Sequence, residues 1–266
     1  MPIYWKKDIR RQPVETLMLL DELHFHLLAQ GPPRHDLALL CKAYPHIAWY
    51  IRNKLPELSP WVDGMAEMAT GEPLPDDMDA LVGDVMESIE DWIIYVTTPD
   101  DYQNQPFVAW NEKELTDLAD FRGKTVVDIG SGTGKQAFAA APLAGTVYCV
   151  EPVWNLRRYL KKRAAALGFS NVFVVDGVIE EIPFAADFAD VTMSGHVVGD
   201  DVLRETREME RVTKSGGRVI LCPGNTDADN ETHRLLLRLG YEWARFLEPG
   251  EAWGSGYKRK YWKDMT

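Results

Sequence analysis

Val126-Val127-Asp128-Ile129-Gly130-Ser131-Gly132-Thr133-Gly134-Lys135, the stretch VVDIGSGTGK, decides how this chain is read. A short β-branched run carrying one carboxylate breaks into three alternating glycines and continues as KQAFAAA. That is a strand, a tight turn and a helix, the unit from which parallel α/β sheets are built. Glycines in such a turn let the backbone come close to a ligand.

Downstream the alternation continues. Strands are expected at 124–129, 146–151, 171–175, 188–194 and 217–222. Helices are expected at 134–143, 153–167, 200–213 and 229–239, with a short one from Asn111 to Phe121 capped by Asn111. The tail reads YEWARFLEP, then GEAWGSG, then YKRKYWK, two strand-like runs around a Gly-rich turn. Residues 106–266 therefore predict an α/β fold: a doubly wound, mainly parallel seven-stranded sheet closed by a C-terminal antiparallel hairpin. Upstream, residues 1–105 predict an all-helical domain, suited to capping a substrate or to dimerisation. Its clearest segment runs from Pro75 to Val96, where Met78, Leu81, Val82, Val85, Met86, Ile89, Trp92, Ile93 and Val96 keep helical spacing. TTPDDYQNQP marks the boundary.

The chain has 266 residues and a formal charge of −12, and no Lys or Arg occurs between Leu55 and Glu112. Such a surface repels phosphate backbones, so a nucleic-acid partner is not expected. The acidic helical half would suit a cationic or amine ligand, with Asp76, Asp77 and Asp84 as candidate contacts, or else serve as a solvated face. No apolar run reaches the length of a membrane span, and MPIYWKKDIRRQP lacks the apolar core of a signal peptide. A cytoplasmic protein with no membrane partner is expected. Cys41, Cys149 and Cys222 are far apart and read as buried thiols. His24 and His26 sit two apart on a helix and face different sides, so no metal site is expected.

Three ligands compete for the glycine turn. A P-loop needs an earlier glycine and a hydroxyl after the lysine, but Ile129 and Gln136 stand there. A dinucleotide fingerprint needs a glycine where Lys135 stands. S-adenosylmethionine carries a cationic sulfonium and no phosphate, which suits Asp128 beside the turn. Glu151 ends the next strand, 19 positions after Gly132. A carboxylate there bridges ribose hydroxyls, a device that adenosine ligands share.

Five blocks in order carry a resemblance: VDIGSGTG, YCVEP, DGVIEEIPF, FADVTMSG and MERVTKSGGRVI. Together they resemble the motif series of class I S-adenosylmethionine-dependent methyltransferases, and are most similar to the small-molecule branch that includes quinone-biosynthesis enzymes. The resemblance covers roughly residues 107–263. It implies S-adenosylmethionine as cofactor and in-line transfer of its methyl group to a small-molecule acceptor. Asp128, Gly130, Ser131 and Gly132 would line the methionine end. Glu151 would take the ribose hydroxyls, with Pro152 and Val153 near the adenine. Asp176, Gly177, Val178 and Ile179 would meet the adenine edge, and Met193 to His196, Ser194 included, would face the methyl group. Val178 stands where the family places an adenine-binding acid, with Asp176 a candidate substitute. That departure keeps open a second reading, a protein that binds S-adenosylmethionine or its demethylated product without catalysis.

His196, just past the fourth strand, is the candidate base, or else a loop histidine bonded locally. Asp200 and Asp201 read as caps of the following helix. Tyr102, Phe107 and Trp110 could cover a cationic ligand or simply pack. The run Arg157, Arg158, Lys161, Lys162 and Arg163 reads as a solvated helix face. A homodimer through the helical half is allowed.

Overall fold

A computed structural model describes residues 9–30, 34–105, 108–224, 227–247 and 256–266. Its contacts divide the chain into two compact units that part between Tyr102 and Gln103.

The larger unit is built on the glycine-turn segment. Strand β1 (Thr125–Ile129) pairs in parallel with β2 (Thr146–Val150) on one side and β4 (Ala189–Gly195) on the other. Strand β3 (Val172–Val175) extends the sheet beyond β2, and β5 (Thr213–Cys222) extends it beyond β4. β6 (Glu242–Leu247) and β7 (Tyr257–Asp264) form the antiparallel hairpin, with β7 inserted between β5 and β6. The order is β3-β2-β1-β4-β5-β7-β6. The Gly-rich connection of that hairpin, residues 248–255, lies outside the described residues, as does Phe107.

Each central strand buries both faces, which is why these strands read as continuous apolar runs. Val126 packs under α8 (Lys113–Thr116), α9 (Lys135–Ala140) and α10 (Trp154–Ala166), together with Leu115, Ala137, Leu160 and Val191. Val127 and Ile129 face the other way, toward α11 (Val202–Val212) and α12 (Glu231–Arg238), with Met209 and Leu236. The short helix expected over 111–121 is only the four residues of α8, and Asn111 Oδ1 accepts from the Lys113 N–H at 3.0 Å. Helix α9 stops at Ala140, short of 143, because Pro142 has no N–H to continue it.

The smaller unit is helical: α1 (Glu22–Gln30), α2 (His35–Ala43), α3 (Pro45–Lys54), α4 (Ser59–Met68), α5 (Met78–Ser88), α6 (Glu90–Thr97) and α7 (Pro99–Gln103), the last reaching one residue past the dividing point. The single helix expected to run on to Val96 is two. Ile89 leaves helical geometry at φ −120°, and Ser88 Oγ donates back to the Val85 carbonyl, a local bond that competes with the helix ladder. The break keeps Ile89, Ile93 and Ile94 buried together with Val85 and Met86. Three acidic residues of this unit have local partners. Asp77 caps α5 by accepting from the Ala80 N–H at 2.9 Å, and Asp84 and Glu87 hold Arg10. His24 is buried, accepts from the Asp21 N–H at 3.0 Å and stacks on Trp92. Burial holds its imidazole down at about 4. No group of His, Cys, Asp and Glu able to hold a metal occurs among the described residues. No described helix is long and apolar enough to cross a membrane.

Candidate functional site

The strand order changes direction between β1 and β4, and open α/β sheets bind ligands at the carboxyl ends of the strands beside such a point. The glycine turn lies there. Gly130, Gly132 and Gly134 all take positive φ, at 64°, 56° and 86°. The Gly130 and Ser131 N–H groups donate to the Val150 carbonyl, tying the turn to β2. A Cβ on Gly130 would lie 2.1 Å from Val197 Cγ2, so the loops after β1 and β4 touch at this point. A Cβ on Gly134 would strike Phe138 and Leu160, which makes Gly134 the residue that lets α9 pack closely.

Two carboxylates are buried against this turn. Asp128 is on the α9 face of β1, and its Oδ2 accepts from the Ala137 N–H at 3.1 Å in the first turn of α9. Burial pushes its carboxyl up to about 7. Glu151 follows β2. Its Oε2 accepts from the Gly132 N–H at 2.8 Å and its Oε1 from the Val153 N–H at 2.9 Å, so it staples the glycine turn to the start of α10. Ser131 Oγ donates to the Asp128 carbonyl. At the end of β4, Ser194 Oγ is buried without a hydrogen-bond partner among the described residues, and so is Gln136 Oε1. A Cβ on Gly195 would lie 2.4 Å from Gln136 Nε2, so Gln136 borders the end of β4.

The third-strand turn is tied to α10 by an arginine. Asp176 is exposed and pairs with Arg157 Nη1 at 2.9 Å, and the same guanidinium donates to the Glu151 and Pro152 carbonyls. Arg163 donates to the Thr133 carbonyl and lies over the Phe138 ring. Two members of the run read as a solvated face thus brace this edge of the sheet. Val178 bridges to Glu181, Ile179 is buried, and a Cβ on Gly177 would strike Pro183.

His196 takes φ 61°, unusual for a residue with a Cβ. Its N–H donates to the Cys222 carbonyl at 2.8 Å. Crowding by the surrounding protein, then the charges of Lys258 and Lys260, hold its imidazole below the ordinary range. The side chain keeps solvent-exposed surface, which limits that depression. Asp201 caps α11 through the Arg204 N–H. The loop around it is organised by Glu205, invisible to motif reading, whose buried carboxylate accepts from the N–H groups of Gly199, Asp200 and Asp201. Also missed were Lys258 and Lys260. Their i, i+2 spacing on a strand of aromatic residues was the available signal.

Residues 127–221 match a family model described as a methyltransferase domain. A demethylmenaquinone methyltransferase of Halalkalibacterium halodurans is 26% identical over 161 residues, covering 58% of this chain and 64% of that protein. A protein-L-isoaspartate O-methyltransferase of Dictyoglomus turgidum is 31% identical over 128 residues, covering 47% of this chain and 54% of that protein. The chain thus spans 64% and 54% of these two relatives. A solved structure of an S-adenosylmethionine-dependent methyltransferase from Aquifex aeolicus aligns with a TM-score of 0.50 at 19% identity, over 62% of this chain and 96% of that one, a likeness of fold.

Proposed function

We propose that this chain, whose residues 127–221 match a methyltransferase domain, is a class I S-adenosylmethionine-dependent methyltransferase that binds its cofactor at the glycine turn and methylates a small-molecule acceptor. The pair of buried carboxylates, Asp128 and Glu151, carries this reading. A dinucleotide would set its pyrophosphate on the first turn of α9. Asp128 already occupies that place through the Ala137 N–H, and its charge opposes a phosphate. A ligand bearing a sulfonium and an ammonium meets the opposite sign.

The donor set suits that cofactor. Asp128, Gly130, Ser131 and Gly132 would hold its amino-acid end, Glu151 its ribose, and Pro152, Asp176, Gly177, Val178 and Ile179 would lie at its adenine. Ser194 Oγ and Gln136 Oε1 are buried polar atoms that a ligand could satisfy. When bound, the cofactor supplies an electrophilic methyl on a thioether that leaves uncharged. The protein's share is then to align the acceptor, exclude water and receive a proton. His196, kept toward its neutral form, is the base we assign, accepting the acceptor's proton at a ring nitrogen. Glu205 holds the loop that presents it.

The similarity to demethylmenaquinone methyltransferase favours a small-molecule acceptor, and the acidic charge disfavours nucleic acid. We assign the helical unit to substrate selection or to homodimerisation, and light scattering of the full chain tests the second. A second reading, binding without transfer, is favoured by Val178, whose side chain cannot accept from an adenine amine.

Calorimetric titration with S-adenosylmethionine, S-adenosylhomocysteine and NADH tests the assignment. Micromolar binding of the first two and none of NADH is expected. NADH binding alone would overturn it. His196→Ala is expected to slow turnover with cofactor affinity unchanged, and an unaltered rate would remove His196 from the chemistry.

A further inference from the structure

Strand β7 carries Lys258, Arg259 and Lys260 in a row, and all three are buried. Alternation along the strand separates them. Arg259 is neutralised by Asp227 at 2.9 Å and Asp229 at 2.8 Å. Lys258 and Lys260 share the other face. Lys260 is only 2% exposed. Its Nζ lies 4.1 Å from the centre of the Trp110 ring and 5.0 Å from that of Phe246. Glu114 Oε2, 3.0 Å away, is the one carboxylate paired with Lys260 Nζ among the described residues. That same oxygen also serves Lys258 Nζ, at 3.4 Å. An ammonium has three N–H donors, and one carboxylate oxygen shared by two buried lysines cannot engage them all, so the burial is costly unless a further partner offsets the loss.

The position of Lys260 ties it to the site. Tyr261 lies opposite Leu221 in the β5–β7 pair, so Lys260 falls level with the last residue of β5, Cys222. The Cys222 carbonyl is the group that anchors the His196 N–H. Lys260 therefore stands at the carboxyl edge of the sheet, beside the proposed base.

We propose that Lys260 selects an anionic acceptor, a small aromatic carboxylate whose charged oxygen takes the unused ammonium donors while Trp110 and Phe246 border its ring. This rests on the methyl-transfer reading of the site. It assigns substrate charge to the α/β unit and reverses the sign expected from the acidic helical half.

Benzoate, benzyl alcohol and benzylamine share a ring and differ in charge. They are titrated calorimetrically into the full chain saturated with S-adenosylhomocysteine. Benzoate is expected to bind at least tenfold more tightly than the other two. Lys260→Met is expected to weaken benzoate at least tenfold while S-adenosylhomocysteine affinity stays within twofold. Glu114→Gln removes the competing carboxylate and is expected to tighten benzoate, whereas a purely structural ion pair would make both variants weaken it. No preference for benzoate, including no binding of any of the three, or a Lys260→Met variant that binds benzoate as before, overturns the proposal. If S-adenosylhomocysteine itself fails to bind, the cofactor reading falls, and the three titrations repeated on the unliganded chain still decide the anion site.

Discussion

Gly130 is the residue where one added methyl group does most harm. Its φ of 64° disfavours a side chain, by about 1 kcal/mol or more for an L-residue. The new Cβ would also press into Val197, 2.1 Å away. Gly130→Ala is expected to lower the unfolding midpoint and abolish S-adenosylhomocysteine binding, read by thermal unfolding and titration. Asp128 makes a pH prediction. Its folded-state value near 7 exceeds the ordinary 3.8, so between those values the native state holds more protons than the unfolded one. Stability must then fall as pH rises through that window. Asp128→Asn is expected to flatten that slope in urea-unfolding curves from pH 4 to 8. A cationic ligand favours the ionised carboxylate, so cofactor affinity of the unaltered chain should rise over the same range. An affinity independent of pH would separate Asp128 from the ligand. The motif identified both carboxylates, but their burial came from the fold, because side-chain direction depends on the strand register.

Among the elements, the loop between β4 and α11 shows what local reading misses. Asp201 is a recognisable cap, but Glu205 does more, accepting from three consecutive N–H groups. Glu205→Ala would leave those donors without that acceptor, and a loss on the order of 3 kcal/mol in denaturant unfolding is expected. Turnover should fall further than cofactor affinity, since the loop carries His196. A variant as stable as the parent would show that the loop finds other partners. The split of α5 from α6 has the same origin. The apolar spacing runs unbroken through Ile89, and only the bond from Ser88 back to Val85, with the packing of Ile89, ends the helix.

For the whole molecule, the hydrophobic clusters on the two faces of the sheet, from Leu115 to Met265, lie entirely within the larger unit. Residues 103–266 expressed alone are expected to unfold in one cooperative transition, measured by circular dichroism against denaturant. Loss of that cooperativity would mean the sheet needs the helical unit to fold. The strand-helix alternation, the closing hairpin and the ordered blocks after Asp128 were legible because they rest on periodicity and on glycine's backbone freedom, which act over a few residues.

The sequence by itself determined the architecture of the sheet and the place of the glycine turn, and its motif blocks carry the proposal of an adenosyl ligand. Tertiary structure decided that Asp128 sits on the first turn of α9, that Arg157 and Arg163 brace the sheet edge, and that Lys260 is buried beside His196. The reason is physical. Propensity and spacing act between neighbours in the chain, whereas charge, burial and hydrogen-bond supply at a site are summed over segments a hundred residues apart, and Trp110, Glu114 and Lys260 meet only once the sheet has formed.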